Sequence, residues 1–392
     1  MSRRTATLTS TAITAAFIGP GTVTVCAKSG AAHGLSLLWA LAFATVACFV
    51  LQEAAARLTA VTGRSLGQVI AGRFPSPVRW LAAIAVISGC AAYQAGNILG
   101  AVAGTKLVSP LPEPALTTAF ACTAFALLAV GSLRFITAAL ASLVALMGIA
   151  FATTAISVAP PPAELIKGLT VPTIPGSGAL LVLGLVGTTV VPYNLFLGSA
   201  LAHGHELRHT RTGLAITIAA GGLISMAVLV TGSSITGEFS FANLATVLSD
   251  RLGPWAKNLF ALGLAAAGLT SAVTAPLAAA FTARSLFLDP LNPQLWSPTS
   301  ARFRAVWATT LLFGTIFGIT GIRPVPAIIL AQSLNGLLLP LVAILLWRLA
   351  NDRTLLPSNT NKPLTNLLTA AIVALTLALG TKLLYTTITA LL

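Results

Sequence analysis

Two short stretches combine glycine and proline with hydroxyl and amide side chains inside apolar segments. They are FIGPGT at residues 17–22 and GTTVVPYN at residues 187–194. Proline lacks an N–H and clashes with the carbonyl one turn earlier, while glycine adopts dihedral angles closed to other residues, so both stretches predict an unwound helix. In hydrocarbon such breaks persist only where protein or a polar cavity satisfies the backbone. The predicted chemistry is non-covalent binding of a polar solute.

The segments around these stretches are those of a polytopic α-helical membrane protein. Of the 392 residues 56% are hydrophobic and only 8% are charged, with a mean hydropathy of +0.92. Soluble domains carry about 25% charged residues. Apolar runs long enough to cross roughly 30 Å of hydrocarbon recur along the chain. About eleven spans are predicted, at residues 8–32, 36–60, 79–108, 114–133, 136–159, 178–203, 211–236, 256–283, 302–321, 326–348 and 364–390.

The two breaks fall near the middle of the first and the sixth predicted spans. Interrupted segments at corresponding positions of two halves are typical of transporters that bind their substrate at the membrane midplane. Two unrelated proline kinks, which are common in membrane helices, are the alternative explanation. The pattern therefore predicts a substrate site where the breaks meet.

Charge and motifs exclude other classes of protein. The net charge is +14, but Lys and Arg stand mostly singly at helix ends and in loops, which argues against a nucleic-acid partner. Their bias predicts a cytoplasmic N-terminus and an external C-terminus, in a bacterial inner membrane. No ATP-binding loop, nucleophile–base constellation or cofactor motif occurs, so neither an enzyme nor a bound cofactor is expected. The four cysteines are predicted to be small buried hydrophobes.

Three segments resemble the NRAMP family of proton-coupled divalent-metal transporters, which have a LeuT-like fold. GPGT at 19–22, followed by GAAHGLSLLW at 30–39, is similar to the family's D-P-G-N and the residues after it. TTVVPYNLFL at 188–197 is similar to T-V-M-P-H-N-L-Y-L, and ILAQSLNGLLLPLVAILL at 329–346 matches the tenth helix. The resemblance extends over roughly residues 10–350.

The resemblance implies an all-α fold built as an inverted repeat. Two repeats of five helices each are expected, with one extra C-terminal helix, and the first and sixth helices are broken at mid-membrane. The chain is expected to be a single transporter domain over residues 1–392. Repeat one would cover about 8–159, repeat two about 178–348, and the extra helix about 364–390.

The resemblance also implies a substrate site made by three spans. Its positions in this chain are Ala16, Gly19, Thr22, Thr188, Val191, Tyr193, Asn194, Gln332 and Asn335. Backbone carbonyls at Ala16 and Thr188 are expected to be ligands. The family's Asp and Asn positions are Gly19 and Thr22, and its Met position is Val191, so the anionic ligand and the soft sulfur are both replaced. Whether a metal binds such a site is left open, because soft and borderline metals are selected by ligand type.

The positions of the family's proton path have also changed. An acidic pair on the third helix is replaced by Gln94 and Asn97, and a histidine after the second break is replaced by Tyr193. Tyrosine, with an ordinary pKa of about 10, is a poor proton carrier near neutrality. The site and the coupling positions together are predicted to be polar and neutral.

Two charged residues fall inside spans. Glu53 precedes Arg57 by four residues, the spacing of a favourable helical ion pair, and its role is either structural or in gating. Lys28 lies six residues beyond Thr22 in the outer half of the first span, where it either extends to the interface or acts on a charged solute.

Three functions fit these features. The family's own activity predicts transport of a divalent cation, and harder ions such as Mg²⁺ accept oxygen-only ligands and retained waters. The neutral site argues against ordinary proton-coupled transport of transition metals. The alternative is a carrier for a small neutral or anionic organic solute, and a third is a receptor or scaffold that transports nothing. The oligomeric state stays open.

Overall fold

The computed structural model describes residues 18–130, 134–202, 204 and 206–391, and within them the chain is helical and contains no β-strand. In chain order the helices are α1 (Pro20–His33), α2 (Leu38–Thr62), α3 (Leu66–Arg73), α4 (Ser76–Lys106), α5 (Glu113–Val130), α6 (Arg134–Val158), α7 (Pro162–Thr170), α8 (Ala179–Thr189), α9 (Pro192–Leu201), α10 (Leu207–Gly232), α11 (Phe241–Leu252), α12 (Trp255–Phe287), α13 (Ala301–Ile319), α14 (Pro324–Ala350) and α15 (Pro363–Leu391).

Nine membrane spans are found among the described residues. They are α2, α4, α5, α6, the α8–α9 pair, α10, α12, α14 and α15, each long and apolar enough to cross a bilayer. These confirm nine of the predicted spans. Helix α13, with 19 residues, corresponds to a tenth and would extend about 28 Å. The first predicted span is described only from residue 18, so its opening half, with Ala16, lies outside the described residues.

The broken α8–α9 pair lies at the centre of the bundle. Within its most apolar window 83% of the residues are buried, whereas 17% are buried in that of α5. A helix that is apolar on every side must be surrounded by protein or by lipid. Helices α8 and α9 are surrounded by protein, and α5 lies on the periphery, where lipid surrounds it.

Glycines bring three helices into close contact around the first break. A methyl group on Gly100 of α4 would lie 2.1 Å from a side-chain carbon of Pro20, the first residue of α1. A methyl group on Gly268 of α12 would lie 2.7 Å from the carbonyl oxygen of Asn97 of α4. Small residues are the usual means by which membrane helices approach closely. The start of α1 is thereby held against α4, and α4 against α12.

The prediction that all four cysteines are buried is wrong at one position. Cys26, Cys48 and Cys90 are buried, but Cys122 is exposed on α5. Because α5 is peripheral, an apolar residue there can face the lipid, which the hydropathy of the sequence does not distinguish from a protein interior.

Candidate substrate site

The break between α8 and α9 consists of two non-helical residues before a proline. Val190 has φ −110° and ψ 71°, and Val191 is extended, with φ −75° and ψ 124°. Helix α9 then begins at Pro192, a residue suited to a first helical position. Because Pro192 carries no N–H, the carbonyl of Thr188 four residues earlier lacks its usual helical partner. That carbonyl is therefore a candidate ligand.

The first break has the same local form where it is described. Gly19 is extended, with φ −90° and ψ 172°, and α1 begins at Pro20. Ala16 stands four residues before Pro20, as Thr188 stands four before Pro192, but Ala16 lies outside the described residues. The two positions implied by the resemblance thus stand at the same distance in sequence before a proline.

A hydrogen bond joins the two breaks. The hydroxyl groups of Thr22 and Thr188 lie 2.9 Å apart and are buried. These residues are 166 positions apart in sequence, so their contact places the start of α1 beside the end of α8. The structure therefore brings the two interrupted segments to one place.

Gln332 of α14 lies between the breaks. A methyl group on Gly21 would lie 2.1 Å from Gln332 Nε2, and one on Gly187 would lie 1.9 Å from the Gln332 carbonyl oxygen. The residue is 1% exposed. Neither Oε1 nor Nε2 has a hydrogen-bond partner within the described part of the chain. A buried polar group without a partner costs about 1–3 kcal/mol, so a ligand that satisfies the amide would recover that free energy.

Asn335, one turn further along α14, is similar. It is buried, and its Nδ2 has no hydrogen-bond partner among the residues that the structure describes. Its Oδ1 would lie 2.8 Å from a methyl group on Gly89 of α4. Asn335 therefore faces α4, whereas Gln332 faces the two breaks.

The residues after the second break differ in what they offer a ligand. Val191 is buried and has no ligand atom in its side chain. Tyr193 is also buried, and its ring packs edge-to-face on that of Tyr93 of α4, with centroids 5.6 Å apart. Asn194 is half-buried in the first turn of α9.

Sequence reasoning did not assign Tyr93 and Ser271 to the site, but both side chains are next to the first break. A methyl group on Gly19 would lie 3.0 Å from the Tyr93 hydroxyl oxygen and 3.3 Å from the Ser271 hydroxyl oxygen. The Tyr93 hydroxyl also makes polar contacts with Tyr193 and Ser271. The sequence holds one signal for each: Ser271 is a polar residue within the long apolar α12, and Tyr93 falls four residues before Asn97, on the same face of α4.

The polar pair on α4 forms a neutral network. Gln94 Nε2 donates to the carbonyl of Ala272 at 3.1 Å, and Asn97 Nδ2 donates to Gln94 Oε1 at 3.4 Å. Asn97 Oδ1 has no hydrogen-bond partner among the described residues. None of these groups changes charge over the physiological pH range.

The buried charges lie elsewhere. Glu53 pairs with Arg57 at 3.2 Å, as predicted, and also with Arg211 of α10 at 2.6 Å. The Arg57 guanidinium donates to the carbonyl of Asn359 and, at 2.6 Å, to Asn361 Oδ1. We refer to Glu53, Arg57, Arg211, Asn359 and Asn361 as the charged cluster. In this cluster the carboxylate is paired with two cations, and whether its role is structural or in gating stays a prediction.

Lys28 is half-buried on α1, two turns beyond the first break. No group of three or more His, Cys, Asp or Glu side chains able to hold a metal ion occurs in the described ranges. Any ion at the breaks would therefore be held by backbone carbonyls, hydroxyl groups and amides.

Comparisons with known proteins agree on one family. The model of the family described as "Natural resistance-associated macrophage protein-like", Nramp, matches residues 11–386. A protein named divalent metal cation transporter MntH, from Pectobacterium carotovorum subsp. carotovorum (strain PC1), is 27% identical over 388 residues, covering 95% of this chain and 92% of its own.

Solved structures show the same fold. The manganese transporter of Eremococcus coleocola superposes with a TM-score of 0.74 at 19% identity, over 95% of this chain and 84% of its own. Mhp1, a nucleobase-cation-symport-1 family transporter, superposes with a TM-score of 0.51 at 14% identity, over 88% of this chain and 78% of its own. The expected LeuT-like fold is confirmed.

Proposed function

Because the chain belongs to the Nramp family, we propose that it is an alternating-access secondary transporter that carries a divalent cation across a membrane. Its curated relatives are named as divalent metal cation transporters. The observation that carries the proposal is the buried Gln332 amide, which has no hydrogen-bond partner in the described chain and lies between the two helix breaks. The hydroxyl oxygens of Thr22 and Thr188 lie at the same place, so a cation there would find several oxygen ligands.

The ligand set that we propose contains only neutral oxygens. It consists of the Thr22 and Thr188 hydroxyl groups, the Gln332 Oε1 and the backbone carbonyls of Thr188 and Ala16, with Asn194 at the edge. Hard cations prefer such oxygens, whereas Fe²⁺ and Cd²⁺ gain more from nitrogen and sulfur ligands. Neutral oxygens compensate a dication less than a carboxylate does. We therefore propose Mg²⁺, with part of its water shell retained, as the favoured ion.

We also propose that transport is not coupled to protons through α4. Gln94 and Asn97 occupy the positions of the family's acidic pair, and their amides form the neutral network described above. Proton relays in membranes use titratable side chains such as Asp, Glu and His. With amides at these positions, the concentration gradient of the cation and the membrane potential supply the driving force.

A carrier for a small organic solute is the second candidate, and one observation favours it. The unpartnered atoms include two donors, Gln332 Nε2 and Asn335 Nδ2, and a cation cannot accept hydrogen bonds from them. The N-termini of α1 and α9, where the helix dipoles are positive, begin at the breaks and suit a carboxylate. Such a solute would use both the oxygens and the nitrogens of the amides.

The arrangement of the chain in the membrane is part of the proposal. We place the N-terminus in the cytoplasm and the C-terminus outside a bacterial inner membrane, with residues 8–159 and 178–348 as the two repeats of one domain. A fusion at the C-terminus tests the orientation. Alkaline phosphatase fused there should be active and green fluorescent protein should be dark, and the reverse result would place the C-terminus inside.

Titration calorimetry on the purified protein tests the choice of substrate. Mg²⁺ should bind saturably, and Thr22→Val and Gln332→Ala should each weaken binding about tenfold or more. Thr212→Val, which makes the same change on an exposed threonine of α10, is the matched control and should leave binding unchanged. Tight binding of Cd²⁺, with Mg²⁺ and Mn²⁺ binding much more weakly, would contradict the neutral hard-ion site. Silence with all three metals, together with thermal stabilisation by an organic compound, would favour the second candidate.

A further inference from the structure

The space in front of Gly19 is filled by two hydroxyl groups from other helices. A methyl group on Gly19 would lie 3.0 Å from Tyr93 Oη and 3.3 Å from Ser271 Oγ. Both distances are shorter than ordinary van der Waals contacts between heavy atoms, which begin near 3.5 Å. The next atom of the tyrosine, Cζ, lies at 4.0 Å. The crowding therefore comes from the hydroxyl oxygen and not from the ring.

The Tyr93 ring has little freedom to move away. The residue is 1% exposed, and its ring packs edge-to-face on Tyr193 with an interplanar angle of 72°. Its hydroxyl makes polar contacts with both Tyr193 and Ser271. A rigid aromatic side chain in close packing yields less than a flexible one, because few other rotamers fit.

The helices that carry these residues are themselves held together. Helix α4 contacts the start of α1 at Gly100 and Pro20, and α12 contacts α4 at Gly268 and the carbonyl of Asn97. At both contacts a single added methyl group would overlap with its neighbour. The distance between the backbone of Gly19 and the Tyr93 hydroxyl is thus set by three closely packed helices.

We propose that Tyr93 is a specificity-determining residue of the substrate site. Its hydroxyl, with that of Ser271, crowds any side chain at position 19 and presents a neutral oxygen to the ligand where a carboxylate would otherwise stand. The inference rests on the proposed function only in taking the breaks as the ligand site. The neutral character of the site is then a property of packing across three helices and not of Gly19 alone.

This arrangement has a chemical consequence for ligand choice. A hydroxyl can accept from a water of a hydrated cation, or donate to a polar group of a solute, but it adds no negative charge. A carboxylate at position 19 would supply the negative charge that this site lacks for compensating Mn²⁺. Such a side chain meets less crowding when the Tyr93 hydroxyl, the nearer of the two oxygens, is removed.

A double-mutant cycle on Gly19 and Tyr93 tests the proposal by calorimetry with Mn²⁺. Tyr93→Phe removes the nearer of the two crowding oxygens and leaves the ring in place, because Cζ lies at 4.0 Å from the position of the added group. The Gly19→Asp, Tyr93→Phe double variant should bind Mn²⁺ about tenfold or more tightly than Gly19→Asp alone. Equal Mn²⁺ affinity in the single and double variants would overturn the proposal.

A second cycle measures packing without any metal and covers the case in which Gly19→Asp fails to fold. Gly19→Ala should lower the melting temperature in the wild-type background and lower it less with Tyr93→Phe. Gly213→Ala is the control, because nothing lies within 4 Å of a methyl group there. The same fall in both backgrounds would contradict the proposal.

The two cycles are independent of the natural cargo. Failure of the wild-type protein to bind any cation would contradict the proposed function. The energetic coupling between positions 19 and 93 could still be measured from the melting temperatures. The absence of coupling in a protein that does bind Mg²⁺ would sink only the role of Tyr93.

Discussion

The proposed substrate site and the charged cluster are both buried in helices of this bundle, yet they differ in whether their polar groups have partners. At the breaks the side chains are neutral, and the Gln332 amide has no hydrogen-bond partner among the described residues. In the charged cluster the Glu53 carboxylate has two arginines within 3.2 Å, and Arg57 reaches two further oxygens. One region leaves the Gln332 amide without a partner among the described residues, and the other provides a partner for each charge.

The difference shows how a ligand site can be distinguished from a structural contact. A buried charge without a partner is too costly to keep, so the charges of a stable fold occur in pairs. A neutral amide without a partner costs only about 1–3 kcal/mol, which a fold can bear if a ligand restores the lost hydrogen bonds. The unpartnered Gln332 amide therefore supports the proposed substrate site, and the paired charges indicate a contact between α2, α10 and the residues before α15.

Breaking the charged cluster should have the largest effect on stability. Glu53→Gln leaves Arg57 buried without its carboxylate, and removing one partner of a buried pair costs about 3–5 kcal/mol. The melting temperature of the purified protein should fall accordingly. Glu206→Gln is the control, because Glu206 pairs with His209 at 67% side-chain exposure. Comparable melting temperatures for the two variants would contradict the structural role of the cluster.

Crowding the second break should have the next largest effect. A methyl group from Gly187→Ala would lie 1.9 Å from the Gln332 carbonyl oxygen, so α8 and α14 must separate. Overpacking of this kind costs about 1–3 kcal/mol, and ligand binding should be lost because Gln332 moves. Thermal melting and calorimetry measure the two effects, with Gly213→Ala as the control. Unchanged Mg²⁺ binding in Gly187→Ala would show that the close approach of α14 to α8 is not needed.

The hydrogen bond between the breaks should contribute less to stability. Thr22→Val removes a buried hydroxyl that pairs with Thr188, and the expected cost is about 1 kcal/mol. Because Thr22 is also a proposed ligand, its effect on Mg²⁺ affinity should exceed its effect on the melting temperature. Gln332→Ala should show this contrast more strongly, since no hydrogen bond of its side chain is lost. A large fall in melting temperature with unchanged affinity would reverse the assignment of the two regions.

The smallest effect is expected at an ion pair outside the membrane spans. Hydrogen bonding from the Thr354 hydroxyl, with a contribution from Arg73, lowers the pKa of Asp352 below its ordinary value of 3.8. Because its pKa is lowered in the folded state, the ionised carboxylate stabilises the protein above pH 3.8. This stabilisation is lost as the pH falls through the lowered pKa. Asp352→Asn should therefore cost less than about 1 kcal/mol at pH 7. The difference in melting temperature from wild type should shrink towards pH 3, and a difference that grows on acidification would be inconsistent with this pair.

Much of the fold followed from the sequence because proline and glycine act locally. Pro20 and Pro192 each begin a helix directly after a break, as their chemistry requires, and the Glu53–Arg57 pair follows from a spacing of one helical turn. The contact between Thr22 and Thr188 depended on the resemblance, because only the fold brings residues 166 positions apart together.

The parts that the sequence did not predict depend on contacts between distant helices. Arg211 joins Glu53 from 158 positions away, and no local pattern indicates it. The hydroxyl groups of Tyr93 and Ser271 reach Gly19 from two other helices, so their role is visible only when all three are packed. Hydropathy likewise could not tell that Cys122 faces outward from α5.

Uptake of Mg²⁺ into proteoliposomes, with the internal pH recorded at the same time, tests the central claim most directly. A neutral site with amides at the coupling positions predicts saturable Mg²⁺ uptake that is unaffected by an imposed pH gradient, leaves the internal pH unchanged and is lost in Gln332→Ala. Acidification of the vesicles in step with metal uptake would contradict the account.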